Sequence, residues 1–164
     1  MREILFRGKR IDNGEWVEGF YHFAKWYLNG NFTGKITYYI RPIGAQDAYQ
    51  VDPKTVGQFT GLTDKNGKKI FEGDIIRYAD EYKYRMYLES LECPEEYEGV
   101  DFSDLWTVDE VIYGIKVGYP AFDLRKHDFE SNGLSELHES CNYFYEVIGN
   151  IHDNPELLEV SNNE

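Results

Sequence analysis

The 164-residue chain predicts a mainly β protein, and three features carry that prediction. Asn-Gly pairs stand at Asn13-Gly14, Asn29-Gly30 and Asn66-Gly67, between runs in which apolar and polar residues alternate. Both residues tolerate the positive φ that tight hairpin turns require. The runs are rich in β-branched and aromatic residues, and aromatics make up 16% of the chain, which suits pleated, half-buried surface. The runs recur about every 8–12 residues, as in small sandwiches and barrels.

Taken in order, Glu3 to Phe6 alternates charged and apolar residues and reads as a strand. Asp12-Asn13-Gly14 turns the chain, and Glu15 to Tyr21 returns, continuing through Phe23 to Leu28. After Asn29-Gly30-Asn31, Lys35 to Ile40 forms a further strand that Pro42 ends. Thr55 to Thr60 is a strand, and Asp64-Lys65-Asn66-Gly67 is a turn. Glu72-Gly73-Asp74 then makes a corner into Ile75 to Tyr78: Gly permits the bend, and Asp74 is placed to accept from nearby backbone N–H groups. From Asp80 to Glu92 the apolar spacing becomes helical, and Pro94 stops it. Val108 to Val117, Ala121 to Leu124 and Tyr143 to Ile148 read as strands, with a loop holding one helical turn over Ser131 to Ser140. Gly149-Asn150-Ile151 turns out of the last strand. Asn154-Pro155-Glu156 opens a short C-terminal helix, with Asn as cap and Pro at the first helical position.

These elements predict an N-terminal β region over 1–57 and a small SH3-like β-barrel over 58–164, with a helical and acidic insertion at about 79–106. Two hairpins share one design. Phe6, Gly8 and Asn13-Gly14 recur as Phe59, Gly61 and Asn66-Gly67, followed by Glu18-Gly19 and Glu72-Gly73. Convergence on one turn chemistry explains this as well as a duplicated β unit does.

The net charge is −13, unevenly spread. Residues 1–71 hold 11 basic and 7 acidic residues; residues 72–164 hold 6 and 23. Between Glu89 and Glu110 nine acids occur with no base. Such a run is ordinarily a solvated face. The sharper reading, centred on Glu95, Glu96, Glu98, Asp101 and Asp104, is a surface that imitates nucleic-acid phosphate and docks on a basic partner. The overall charge argues against nonspecific binding to DNA or anionic membranes.

Little points to chemistry. Cys93 and Cys141 are expected as reduced thiols, and the His138-to-Cys141 spacing alone is a weak metal signal. Nucleophile-elbow, zinc-protease, P-loop and dinucleotide motifs do not occur. The expectation is no catalytic residue, no metal site and no cofactor. No apolar run approaches membrane-spanning length, and no signal peptide opens the chain.

Three segments together resemble the YopX family of phage and prophage proteins: Arg2-Glu3-Ile4-Leu5-Phe6-Arg7-Gly8, the block from Gln58 through Thr60-Gly61-Leu62 to Glu72-Gly73-Asp74-Ile75-Ile76, and Val147-Ile148-Gly149-Asn150-Ile151-His152-Asp153-Asn154-Pro155-Glu156-Leu157-Leu158. The resemblance spans both ends and the middle; the stretch from about Ala79 to Trp106 lies outside it. It implies a β fold with an SH3-type barrel, a home in the bacterial cytoplasm, and no established activity to carry over. Gly8, Asn13, Gly14, Gly61, Asp64, Asn66, Gly67, Glu72, Gly73, Asp74, Gly149 and Asn150 then read as turn and corner residues rather than catalytic ones.

The leading functional expectation is a non-catalytic protein that binds a host or phage macromolecule, most simply a protein, through its tyrosines and acidic segment. The alternative is nucleic-acid binding by a basic and aromatic surface in 1–57, where Lys9, Arg10, Lys25, Lys35 and Arg41 lie among Trp16, Tyr21, Trp26 and Tyr38. Self-association through exposed strand edges is a further route.

Overall fold

The computed structural model describes residues 4–79, 106–115, 120–126, 133–140 and 145–160. The chain divides into two compact units, Met1–Gly61 and Leu62–Glu164. The predicted helix over Asp80 to Glu92 lies outside the described residues.

In the first unit, β1 (Phe6–Lys9), β2 (Trp16–Leu28), β3 (Asn31–Arg41) and β4 (Tyr49–Gln50) are followed by a single 3-10 turn over Pro53–Thr55 and by β5 (Gly57–Thr63). The sheet order is β4-β3-β2-β1-β5, continued by β6 (Lys69–Phe71). β1 lies antiparallel between β2 and β5, with Gly8 opposite Val17 and Phe6 opposite Gln58. One face of this sheet buries Val17, Ile40 and Val51, with Phe6, Tyr21, Tyr38, Tyr49 and Val56 packed around them. A Cβ at Gly8 would stand 3.2 Å from both Ile40 Cδ1 and Val56 Cγ2, so the strands close tightly there. Gly19 is more constrained. A Cβ would lie 2.0 Å from the Arg41 carbonyl oxygen, and only glycine lets β3 approach so closely.

The second unit holds β7 (Asp74–Ala79), β8 (Trp106–Ile115), β9 (Pro120–Leu124), α1 (Gly133–Ser140), β10 (Tyr145–Asn150) and α2 (Leu157–Val160). All its strand pairs are antiparallel, in the order β10-β7-β8-β9. Its core comprises Ile70, Ile76, Val111, Phe122, Leu124, Leu134, Tyr145 and Val147.

Carboxylates and glycines pin the corners. Asp64 Oδ1 accepts from the Asn66 and Lys68 amides at 2.8 and 2.9 Å, and its Oδ2 accepts from the Val147 amide at 3.1 Å. One side chain thus ties the β5–β6 turn, which contains Gly67, to β10. Asp74, fully buried, accepts from the Phe71 amide at 2.7 Å and closes the Glu72-Gly73 turn. Gly73 sits at φ 79°, donates to the Val111 carbonyl at 2.8 Å and accepts from the Ile151 amide at 2.9 Å. At the far end, Asn150 Oδ1 accepts from the His152 and Asp153 amides. A Cβ at Gly149 would meet Asn154 Oδ1 at 2.7 Å.

Three expectations change. The SH3-like barrel is not what the described ladders form: there are two open antiparallel sheets. The physical reason is that β5 and β6, which a barrel over 58–164 needs, hydrogen-bond into the sheet that contains β1. The loop over Ser131 to Ser140 holds an eight-residue helix rather than one turn. The first strand, expected over Glu3 to Phe6, instead runs over Phe6–Lys9, because these are the residues that pair with Trp16–Gly19 of β2.

Candidate functional site

The feature least explained by packing is the outer half of the β2–β3 hairpin. β2 runs for 13 residues, about twice the usual strand length. β1 covers β2 only over Trp16–Gly19, and β4 touches β3 only at Tyr39 and Ile40. Beyond those points the two strands continue as a two-stranded ribbon, closed by Asn29 at φ 47° and Gly30 at φ 81°.

Burial falls along the ribbon. On the face that carries the core, Val17 is buried and Tyr21 half-buried, while Phe23 is 55% and Tyr27 60% exposed. On the other face Phe20 and Trp26 are each 48% exposed, and Leu28 is 68% exposed. Seven of the eleven exposed large apolar side chains among the described residues lie between Phe20 and Ile36. An isolated two-stranded ribbon is marginal in water, and contiguous exposed apolar surface of this kind is uncommon on folded chains.

Side-chain pairs shape both faces. Tyr21 stacks on Tyr38 at a centroid distance of 6.1 Å and also meets Phe6 at 5.3 Å. Burial pushes the Tyr21 hydroxyl pKa up, so it stays neutral. Lys25 Nζ lies 5.9 Å from the Phe23 ring, and Tyr27 packs on Phe32 at 5.7 Å. On the opposite face Trp26 Nε1 donates to Thr37 Oγ1 at 2.7 Å, Lys35 Nζ stands 5.1 Å from the Trp26 ring, and His22 stacks on Tyr39 at 5.5 Å. Nearer the base, Arg7 and Lys9 lie over Trp16 at 4.8 and 5.5 Å. From Gly19 to Gln46 the chain holds Lys25, Lys35 and Arg41 and no acid.

The structure therefore divides the basic and aromatic residues that the sequence interleaves. By strand alternation and register, Lys9, Trp16, Trp26 and Arg41 fall on one face. Tyr21, Lys25 and Tyr38 fall on the other. Arg10 belongs to neither group. It lies 3.9 Å from the Tyr49 ring centroid and pairs with Asp12, which raises its own pKa and lowers that of Asp12.

The motif residues lie elsewhere, several of them in turns or at strand ends, but Gly8 lies within β1. Asn13 Oδ1 accepts from the Glu15 amide at 3.0 Å in the turn that Gly14 closes, and Gly61 lies within β5. Glu95, Glu96, Glu98, Asp101 and Asp104 fall outside the described residues. The last two acids of the same run are not solvated: Asp109 and Glu110 are buried in β8. Asp109 Oδ1 accepts from the Glu110 amide and its Oδ2 from the Lys126 amide, while Glu110 receives a two-pronged Arg125 guanidinium at 2.6 and 2.9 Å. Glu110 holds the Arg125 pKa up.

The second unit also carries a charged knot. Glu146 pairs with Lys65 at 3.0 Å and with Arg77, and both cations lie over Trp106 at 5.8 and 4.8 Å. Lys65 and then Arg77 hold the Glu146 carboxyl below its ordinary pKa. Tyr145 Oη donates to the Thr63 carbonyl at 2.6 Å and stands 2.7 Å from His138 Nδ1; burial and Asp64 push the Tyr145 hydroxyl up. Among the described residues no group of three or more His, Cys, Asp or Glu side chains is placed to hold a metal ion, and no helix is long and apolar enough to cross a membrane.

From sequence the outer hairpin reads as strands bearing part of a basic and aromatic surface, a reading that assigns no exposure. The signal it left unused is that Phe20, Tyr21, Phe23, Trp26, Tyr27 and Leu28 occupy both phases of one strand, so no single buried face accommodates them.

None of the curated proteins compared matches the chain. The crystal structure of protein EF1440 from Enterococcus faecalis is similar, at 24% identity over 96% of this chain and 99% of that one, with a TM-score of 0.45. The YopX protein family model matches residues 5–159, nearly the whole length that the sequence resemblance spans. The chain belongs to the YopX family.

Proposed function

We infer that this chain is a non-catalytic interaction protein whose contact element is the outer β2–β3 hairpin, and that it acts on a host or phage protein in the bacterial cytoplasm. The observation that supports the reading is the cluster of seven exposed large apolar side chains between Phe20 and Ile36, a stretch with two cations, Lys25 and Lys35, and no acid. Aromatic side chains give large contact area at low entropic cost and anchor protein interfaces. The surrounding cations favour a partner whose apolar patch has an acidic rim.

The test is affinity capture from phage-infected host cells with the wild-type chain and with a triple variant, Phe23→Ser, Trp26→Ser and Tyr27→Ser. A partner recovered at stoichiometric yield by the wild type and lost by the folded variant supports the reading. Equal capture by both, or no stoichiometric partner, overturns it.

A second reading, binding of single-stranded nucleic acid, is favoured by one specific observation. Lys9, Trp16, Arg41 and Trp26 share a face, with Arg7 and Lys9 already over the Trp16 ring and Lys35 over Trp26. Cations beside aromatic platforms suit a phosphate backbone and its bases. Titration with a labelled single strand separates the two: affinity that falls steeply with salt supports this reading, and no binding at low salt ends it.

A further inference from the structure

We propose that the outer edge of β2, from Phe20 to Leu28, is a self-association edge, pairing antiparallel with the same stretch of a second copy of this chain about a two-fold axis at Ala24. This does not rest on the reading above, which concerns the side chains on two faces; the proposal concerns the backbone along one edge.

Among the described residues β1 covers β2 only as far as Gly19, and from Phe20 onward β2 pairs on one side alone, with β3. The direction of its edge groups follows from the hydrogen bonds. The Val51 amide donates to the Tyr38 carbonyl at 3.0 Å, so Tyr38 turns its backbone groups away from β2. Phe23, directly opposite Tyr38, therefore turns its own N–H and C=O away from β3. By alternation Tyr21, Lys25 and Tyr27 do the same. The Trp26 carbonyl accepts from Thr33 Oγ1 at 2.9 Å and faces β3, as this phase requires.

The other margin of the ribbon is blunted. Lys25 and Tyr27 on β2 lie opposite Ile36 and Phe32 on β3, so β3 carries two extra residues there, with Gly34 at φ 81°. A bulge and a neighbouring lysine, Lys35, are devices that protect an edge from further pairing. Among the described residues β2 shows no such bulge, and nothing pairs with the row of donors and acceptors along its outer edge.

The register follows from the side chains. Centred on Ala24, the pairing uses the whole uncovered stretch. Phe20 meets Leu28 of the partner subunit, Tyr21 meets Tyr27 of the partner subunit, and His22 meets Trp26 of the partner subunit. Lys25 meets Phe23 of the partner subunit, a cation over a ring. Ala24 faces its own copy in a non-hydrogen-bonded pair, where Cα atoms approach to about 4.5 Å and a small side chain fits best. A register centred on Lys25 sets like charges together. One centred on Phe23 leaves Tyr27 and Leu28 without partners, because β1 already holds Gly19 and Glu18. Edge pairing covers only part of each side chain, so the interface lies at the small end of the stable range and association depends on concentration.

The test uses the full chain with Cys93→Ser and Cys141→Ser, adding Ala24→Cys or, as control, Phe20→Cys. Under mild oxidation Ala24→Cys forms a covalent dimer, because the paired Cα atoms fall within disulfide reach. Phe20→Cys does not, because the two copies of that position lie about 27 Å apart along the strands. Light scattering on the wild type across a concentration series gives a mass rising from 19.3 kDa toward twice that value. Lys25→Pro, which removes an outward N–H without touching the β2–β3 ladder, holds the mass at that of the single chain. A wild type that stays monomeric throughout, or crosslinking equal at both positions, overturns the proposal.

Discussion

The two sheets solve opposite problems. In and against the β10-β7-β8-β9 sheet, acids are drawn inward: Asp74, Asp109, Glu110 and Asp123 on its strands and Asp64 in the β5–β6 turn bound to β10 are buried, and each described contact ends on a backbone amide or an arginine. In the outer β2–β3 hairpin no acid occurs, and large apolar side chains point outward. The first arrangement spends its polar groups on fixing corners, as a rigid scaffold does. The second leaves apolar area open, which costs solubility unless something covers it. On the proposed reading, rigidity and contact thus belong to different stretches of one β chain.

The sharpest way to break this contrast is to remove a corner. Asp64→Ala leaves three backbone amides without their acceptor and is expected to destabilise the second unit by about 4 kcal/mol, read from chemical denaturation. Gly19→Ala places a methyl group against the Arg41 carbonyl; the cost is about 3 kcal/mol, seen as loss of the β2–β3 amide protection in hydrogen exchange. Glu146→Gln has a smaller effect. Its folded pKa lies below the ordinary carboxylate value, so its contribution is fully present above that value and is lost as pH falls through the lower folded pKa. After allowance for screening of the partly exposed Arg77, the contribution is about 1 kcal/mol, and stability below neutral pH should fall less in Glu146→Gln than in the wild type. Smallest of all, Phe23→Ser and Tyr27→Ser should each change stability by less than about 0.5 kcal/mol, although both remove partner capture. A large loss of stability from either would show that the ribbon is part of the fold rather than a free surface.

Much of the fold was legible because turn chemistry is local. Asn13-Gly14, Asn29-Gly30 and Asn66-Gly67 mark real turns, and Ile75–Tyr78 and Ala121–Leu124 fall inside β7 and β9. What failed was non-local. Whether β5 and β6 join β1 or close a barrel with later strands is decided by long-range pairing, which alternation does not encode. The acidic run looked uniform, yet Asp109 and Glu110 are buried because Lys126 N–H and Arg125, just past the end of β9, meet them from 15 to 17 residues away in the chain. For the candidate site, the residue types were visible but their sorting onto two faces and their exposure were not. Exposure depends on how far β1 and β4 extend along the hairpin, which only the register shows.

The central claim is that residues 20–36 are open in the isolated chain and become covered in the complex. Amide hydrogen exchange of the chain alone, at a concentration where light scattering gives the single-chain mass, and with the captured partner tests it directly. The expected result is new protection confined to 20–36, with residues 106–124 unchanged. Protection gained in 106–124 while 20–36 exchange as before would contradict it.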